Sequence, residues 1–196
     1  MTDANPPTDG ELIAGIRSGD ADALEQLVNA YWDTLVQFAG RVLGGQADPQ
    51  DVVQEAFIRI WTHRERWDAD GSVRSLLYTV TRNAALDERR RHARGERAAR
   101  ATQPPVSPTA PSDDAQAAQL REAAFHAVEA LPSKRRAVFR LAREEGLTYG
   151  EIAAVMGISA QTVANHMSLA LADLRTALAP HLDTPRPSPR VTPPAP

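Results

Sequence analysis

Residues 148–172, TYGEIAAVMGISAQTVANHMSLALA, constrain the fold more than any other stretch, because they form two amphipathic segments joined by a tight turn. Thr148, with Glu151 three residues later, is a capping box, which predicts the start of a first helix. Gly157 stands at the turn, where a positive φ favours glycine, and Ser159 can cap a second helix. The capping box, the turn glycine and the spacing of the apolar residues all indicate the same two helices with the same turn between them. The stretch therefore predicts a helix-turn-helix whose second helix enters the DNA major groove.

Both segments carry apolar residues at helical spacing, and these residues are predicted to face inward. They are Ile152, Ala153 and Met156 in the first helix and Val163, Met167, Leu171, Leu174 and Leu178 in the second. The alternative interpretation is an ordinary helical hairpin with a glycine at its turn and no role in DNA binding.

The exposed face of the second helix is predicted to be polar and to read bases. Its candidate DNA-binding residues are Ser159, Gln161, Thr162, Asn165 and His166. Glutamine and asparagine can make paired hydrogen bonds to adenine. We expect Gln161 and Asn165, one turn apart, to be free of competing side-chain neighbours. Because this face carries no Lys or Arg, and phosphate neutralisation supplies much of the affinity for DNA, a partner is expected to help hold it.

Composition narrows the class of protein. The 196 residues include only 5% aromatics beside many Ala and Leu, which favours packed helices over sheets. There is no cysteine, so disulfides and thiolate metal sites are excluded and a reducing compartment, the cytoplasm, is expected. No apolar run is long enough to span a membrane, and the polar N-terminus does not resemble a signal peptide. Neither a metal nor a cofactor is expected.

Amphipathic patterns predict four helices in the first half of the chain. The first starts at a capping box, Thr8 with Glu11, and the second ends at the glycine pair 44–45. Asp48 followed by Pro49 predicts the start of the third helix. The inward residues of that helix are predicted to be Val53, Phe57, Ile60 and Trp61, and its other face holds Asp51, Gln54, Glu55 and Arg59.

The fourth helix is predicted to begin after Ser72 and to become basic towards its end. Seven arginines oppose three acids there, and they are Arg82, Arg89, Arg90, Arg91, Arg94, Arg97 and Arg100. An uncompensated arginine cluster suits a surface that follows phosphates, although a solvated helix face is the alternative.

The composition changes after this helix, which predicts two helical domains joined by a linker. Residues 101–115 are rich in Pro, Ser, Thr and Ala, as expected for a flexible tether. The predicted organisation is a disordered N-terminus (1–8), a first helical domain (9–98), a flexible linker (99–116), a helix-turn-helix domain (117–182) and a disordered proline-rich tail (183–196). The predicted fold class is all-α.

The order of these segments resembles a bacterial sigma factor of the extracytoplasmic-function type, in the sigma-70 family. DPQDVVQEAFIRIW (48–61) resembles the family's helix that docks on the clamp helices of the RNA polymerase β′ subunit. SVRSLLYTVTRNAALDERRR (72–91) resembles its promoter-melting and minus-ten-reading segment. LPSKRRAVFRLAREEGLTYGEIAAVMGISAQTVANHM (131–167) resembles its minus-35-reading domain, although Ala164 stands where the family usually has Lys or Arg.

This resemblance implies partners and site residues. Core RNA polymerase is expected to bind through its β′ clamp and β flap, and the residues expected to contact it are Asp51, Gln54, Glu55 and Arg59. The opened minus-ten strand is expected to lie on Trp67, Arg82, Asn83 and Arg90. For Trp67, a place in the core is an equal alternative. Promoter DNA, and an anti-sigma protein that masks the polymerase-binding surfaces, are the other implied partners.

Two other classes of function compete with this interpretation. A two-domain helix-turn-helix regulator that does not bind core polymerase would share the C-terminal motif. Its first domain would need a ligand cavity or a phosphoacceptor strand and loop, however, and no strand pattern occurs there. An enzyme is the third class. Asp51 and Glu55 share a helix face, but no His joins them at ligand spacing, and there is no nucleophile motif or glycine-rich phosphate loop.

Overall fold

The computed structural model describes residues 8–67, 72–96 and 115–182, and every regular element in these ranges is helical. The predicted all-α class is confirmed. The helices are α1 (Asp9–Ser18), α2 (Ala21–Leu43), α3 (Pro49–Thr62), α4 (Val73–Glu96), α5 (Ala115–Ala130), α6 (Ser133–Arg143), α7 (Tyr149–Met156) and α8 (Ala160–Leu182), with a short 3-10 turn at Arg64–Arg66. Residues 1–7, residues 99–114 of the predicted linker and residues 183–196 lie outside the described residues, whereas residues 115 and 116, predicted as linker, form the start of α5, and Thr8, predicted as disordered, caps α1.

The ends of these helices follow local side-chain chemistry. Both predicted capping boxes form, since Glu11 accepts from the backbone N–H of Thr8 and Glu151 does the same for Thr148. Asp48 accepts a 2.8 Å hydrogen bond from the Gln50 backbone N–H at the start of α3. Such caps satisfy donors that the first helical turn leaves unpaired, so they fix where each helix begins.

Helices α1 to α4 pack into one group. The apolar side of α3 is buried at Val53, Phe57 and Ile60, as predicted, while Trp61 is half-buried at the edge of the core. Phe38 of α2 meets Tyr78 of α4 edge to face, with ring centroids 4.9 Å apart. The outer side of α3 is thereby left facing away from the core.

Helices α5 to α8 form the second group, and here one core prediction is wrong. Leu171 is 37% exposed, and Ala170 occupies the buried position instead. The buried stripe of α8 is Val163, Met167, Ala170 and Leu174. Steps of four, three and four residues keep one face at 3.6 residues per turn, and Leu171 lies about 70° from the centre of that face. In α7, Val155 is buried with Ile152, while Ala153 and Met156 are half-buried.

The two groups pack against each other rather than standing apart. Helix α7 lies on α4, and one continuous cluster of buried side chains runs through both groups. Among the described helices, none is long and apolar enough to cross a bilayer.

Candidate nucleic-acid and protein-binding surfaces

The outer face of α3 combines exposed polar groups with an internal ion pair. Asp51 and Gln54 are exposed. Glu55 and Arg59 are half-buried, and the Arg59 Nε donates a 2.8 Å bond to the Glu55 carboxylate. Arg59 also reaches Asp87 of α4 at 3.4 Å. The bond to Glu55 raises the pKa of Arg59, with Asp87 adding to it against the effect of burial. Arg59 therefore ties α3 to α4, and Asp51 and Gln54 are the freer groups.

One residue on this face was missed by sequence reasoning. Ile58 is 52% exposed, although it is a large apolar residue in the middle of a well-packed helix. It follows Gln54 by four residues and Asp51 by seven, so the three side chains share one face. The signal in the sequence was an apolar residue at this spacing within a polar face.

Trp67 lies at the end of the segment between α3 and α4. Its ring Nε1 donates a 2.9 Å hydrogen bond to the backbone carbonyl of Ile60, and its side chain packs partly against the core. Residues 68–71, the rest of the predicted loop, lie outside the described residues. The hydrogen bond anchors the indole to the last turn of α3, so that only part of the ring remains for stacking on a base.

The other three candidates for strand binding lie on two sides of α4. Arg82 is half-buried and lines a groove of about 660 Å³ between the two helix groups, where Arg89 also lies. Burial, and then the charge of Arg90, lower the pKa of Arg82. Asn83 and Arg90 are exposed and, seven residues apart, share the neighbouring face. The structure thus places Asn83 and Arg90 on one exposed face of α4, whereas Arg82 lines the groove.

The arginine cluster of α4 is more compensated than its sequence suggests. Arg90 pairs with Asp87 at 3.2 Å, and Arg91 pairs with Glu88 at 2.8 Å. Arg89 donates to the backbone carbonyl of Val42 at 3.2 Å. The prediction of an uncompensated cluster is therefore wrong for Arg90 and Arg91, because acids one turn earlier face these two arginines. Two other members, Arg97 and Arg100, lie outside the described residues.

The turn before α8 adopts the predicted geometry. Gly157 has a φ of 64°, in the left-handed region. The Ser159 hydroxyl accepts a 3.1 Å bond from the backbone N–H of Thr162 and lies 2.8 Å from the Thr162 hydroxyl. Ser159 is thus committed to capping the helix, and its hydroxyl has less capacity left for a phosphate or a base.

The exposed face of α8 differs from the prediction at three places, and one of them is Thr162, which is half-buried. Gln161 and Asn165 are exposed but not free of neighbours, since the Gln161 Nε2 donates to the Asn165 Oδ1 at 3.2 Å. His166 is half-buried, and its Nδ1 is buried with no hydrogen-bond partner among the described residues. It lies within one turn of both Val163 and Ala170, which are fully buried, so it stands at the edge of the apolar stripe. Gln161 and Asn165 remain the outward pair.

The Gln161–Asn165 bond leaves a defined set of polar groups. One oxygen on Gln161 remains an acceptor, and the Asn165 amide nitrogen remains a donor. Adenine presents the complementary donor and acceptor in the major groove.

In the described residues, no group of three or more His, Asp or Glu side chains is placed to hold a metal ion.

Comparisons with known proteins match both helix groups. The family description "Sigma-70 region 2" matches residues 27–95, and "Sigma-70, region 4" matches residues 121–174. The ECF RNA polymerase sigma factor SigL of Mycobacterium tuberculosis is 31% identical over 168 residues, which cover 85% of this chain and 94% of SigL. The ECF RNA polymerase sigma-E factor of Escherichia coli is 27% identical over 80% of this chain and 86% of its own length.

Solved structures also match over most of the chain. CnrH, in complex with the cytosolic domain of CnrY, is 28% identical with a TM-score of 0.62, covering 90% of this chain and 99% of CnrH. The sigma factor RpoE of Bartonella quintana, in complex with the anti-sigma factor NepR, has the same TM-score at 19% identity, covering 82% of this chain and 98% of RpoE. The second likeness supports the fold alone.

Proposed function

The chain belongs to the extracytoplasmic-function (ECF) group of the sigma-70 family of RNA polymerase sigma factors, and we propose here how its surfaces divide that work. A sigma factor binds core RNA polymerase, directs it to promoters and assists melting. The observation that carries this function is the presence of both a region 2 match and a region 4 match on one chain. A regulator with an unrelated first domain is not favoured, and the family is not one of catalytic enzymes.

The outer face of α3 is proposed to bind the β′ clamp of core polymerase. Asp51 and Gln54 would make polar contacts around the exposed apolar side chain of Ile58. Interfaces often combine a desolvated apolar centre with a polar rim, which is the arrangement on this face. Glu55 and Arg59 would act at its edge, where their mutual bond also holds α3 on α4. Region 4 is proposed to contact the β flap.

The opened strand of the minus-ten element is proposed to lie along α4. Asn83 and Arg90 would meet it on their shared face, and Arg82 would contribute a cation from the adjacent side. Trp67 would offer the exposed part of its ring for stacking. Extruding a base from the duplex costs a few kcal/mol, which stacking and hydrogen bonds in the binding site can offset.

Helix α8 is proposed to read the minus-35 element. Gln161 and Asn165 would contact base edges, while Ser159, Thr162 and His166 would contact phosphates or fix the position of the helix. In the absence of Lys or Arg on this face, bound polymerase would supply the missing affinity.

The predicted domains, 9–98 and 117–182, are proposed as the units that act at these two elements, and the part of the predicted linker (99–116) that precedes α5 is proposed as their tether. The site of action is proposed to be the cytoplasm, where polymerase works. An anti-sigma protein is a proposed partner. Two of the similar structures support it, since they are complexes of CnrH with the cytosolic domain of CnrY and of RpoE with the anti-sigma factor NepR.

The test is transcription in vitro with core polymerase and a fragmented genomic library. We expect specific start sites that share motifs at both promoter elements and that vanish when the chain is left out. A pull-down with core polymerase is run beside it. Folded protein that neither retains core polymerase nor supports any start site would overturn the proposal and favour the helix-turn-helix regulator.

A further inference from the structure

Polar contacts between the two helix groups converge on one carboxylate, Glu145, in the turn between α6 and α7. Glu145 is a charged residue with only 7% of its surface exposed. The Tyr78 hydroxyl of α4 donates a 2.7 Å hydrogen bond to one carboxylate oxygen, and Arg41 of α2 is paired with the other. The Arg74 guanidinium donates to the backbone carbonyls of Glu145 and Gly146. Three side chains of the first group thus hold one acidic turn of the second.

The turn is shaped to present this carboxylate. Gly146 has a φ of 64°, a conformation that glycine adopts without strain. Leu147, which is buried, donates a 3.0 Å backbone bond to the Leu141 carbonyl and closes the turn onto α6. Glu144 adds a second contact, since its carboxylate lies 3.3 Å from the Arg41 Nε. Local structure therefore fixes the turn, and its acids project towards the first group.

A second bond between the groups lies at the start of α7. The Ser72 hydroxyl, just before α4, donates 2.6 Å to the Glu151 carboxylate. Ser72 also accepts from the backbone N–H of Ser75 and thus caps α4. The first helix of the helix-turn-helix is therefore bonded to the start of the helix that is proposed to hold the opened strand.

We propose that Arg41 and Tyr78 form a carboxylate-binding site, with Arg74 holding the backbone of the same turn, and that Glu145 in this site holds the free protein in a closed arrangement that must open at the promoter. Only the need to open at the promoter rests on the proposed function. Removing one partner of a buried charge leaves the other uncompensated, which is strongly unfavourable. The closed arrangement therefore requires both the Glu145 carboxylate and the side chains that bind it.

The closed arrangement is too small for both proposed promoter contacts at once. The minus-ten and minus-35 elements lie about 25 base pairs apart, or about 85 Å at about 3.4 Å per step. A compact chain of this length has a radius of gyration of about 16 Å. The chain between Glu96 and Ala115 can span up to about 60 Å when extended. It is thus long enough to let the groups separate once Glu145 leaves its site.

The test measures the distance between the groups in the full free chain, without polymerase or DNA. Because the chain has no cysteine, Gln26→Cys and Ala177→Cys, two exposed positions on α2 and α8, accept a donor and acceptor dye pair. Glu145→Gln is made in this background, with Arg41→Gln as the matching change on the other side. Asp173→Asn is the control, since Asp173 pairs with Arg135 at 2.6 Å within the second group.

We expect the unaltered chain and Asp173→Asn to show a high-transfer population, and both Glu145→Gln and Arg41→Gln to lose most of it. Circular dichroism should show unchanged helicity in each variant. If both interface variants keep the high-transfer population of the unaltered chain, or if the unaltered chain itself lacks it, the closed arrangement is overturned. Neither result depends on sigma activity, so failure of this inference and failure of the proposed function are separate observations.

Discussion

The Tyr78 hydroxyl donates a 2.7 Å hydrogen bond to the Glu145 carboxylate, and this bond joins two residues that are 67 positions apart in the chain. Tyr78 is 1% exposed, and burial raises the pKa of its hydroxyl above 10.0, so that it stays protonated as a donor through the neutral range. The ring packs on Phe38 of the first group, while the hydroxyl bonds to Glu145 of the second group. Tyr78 therefore contributes both to the core of its own group and to the interface.

The first prediction is that Tyr78→Phe keeps the packing but lowers stability. The ring stays against Phe38, whereas Glu145 loses a buried donor. Hydrogen bonds to charged groups contribute about 1.5–3 kcal/mol, so we expect the free energy of unfolding to fall by that amount, seen as a lower urea midpoint with an unchanged slope. Tyr149→Phe is the matched control, because Tyr149 is 43% exposed and should change stability by less than about 0.5 kcal/mol. Equal urea midpoints for the two variants would show that the Tyr78 hydroxyl does not stabilise the interface between the groups.

Local features of the structure could be predicted from the sequence, because they depend on neighbouring residues. The capping boxes at Thr8 and Thr148, the Asp48 cap and the Gly157 turn need only a few residues of context. Their interactions close within one helical turn, so the positions of the helix starts follow from short motifs.

Interactions between helices could not be predicted in this way. Glu145 and Tyr78 gave no sign that they would meet, since no periodicity connects residues so far apart. The Gln161–Asn165 bond and the half-burial of His166 depend on side-chain rotamers and on the exact edge of the apolar stripe. Leu171 was assigned to the core because it follows Met167 by four residues, a helical spacing that does not distinguish it from Ala170, which is the buried one.

The second prediction concerns the α3 face. Ile58→Ala and Gln54→Ala together should leave thermal stability nearly unchanged, since exposed sites shift it by about 0.5 kcal/mol or less. Because Ile58 is the apolar centre of the proposed interface, core polymerase binding should weaken at least about tenfold, a loss of about 1.4 kcal/mol. Glu25→Ala, an exposed change on α2, is the control. Titration of the labelled double variant and of the labelled control with core polymerase measures the two affinities. Equal affinities would show that this face does not contact core polymerase.

The third prediction concerns acid. Burial raises the pKa of Glu151, but bonds from Ser72 and Thr148, with the charge of Arg74, outweigh it and lower the pKa below 4.5. A lowered pKa means that the stability contributed by Glu151 is present above pH 4.5 and is lost as the pH falls from there. We expect the urea midpoint of unfolding to drop as the pH falls below 4.5.

The matched variant for this prediction is Glu151→Gln, which should be less stable at about pH 7 and should show a smaller further drop below about pH 4.5. Denaturation series between about pH 7 and about pH 3 measure the difference. An identical acid dependence in the variant and the unaltered chain would show that Glu151 is not responsible.

The fourth prediction separates Arg82 from an ordinary surface arginine. In the part of the chain that the structure describes, no acid lies within ion-pair distance of Arg82, so its cation is available to a phosphate. Arg82→Ala should weaken binding of the polymerase complex to single-stranded minus-ten DNA and reduce the slope of log affinity against log salt by about 0.7. Arg17→Ala, on α1, should change neither quantity. An unchanged salt slope for Arg82→Ala would exclude a phosphate contact.

The last prediction follows from the 3.2 Å bond between Gln161 and Asn165. If the two amides read one adenine as a bonded pair, removing either side chain should also misplace the other. Each single change to Ala should therefore relax preference at the same upstream position, by about 1–3 kcal/mol, and the double change should cost little more than either one. Transcription from a promoter pool randomised over the minus-35 element measures all three variants, with Ala172→Ser, further along α8, as the control. Losses that add, at two different positions, would show that Gln161 and Asn165 read separate bases and that their mutual bond has no part in recognition.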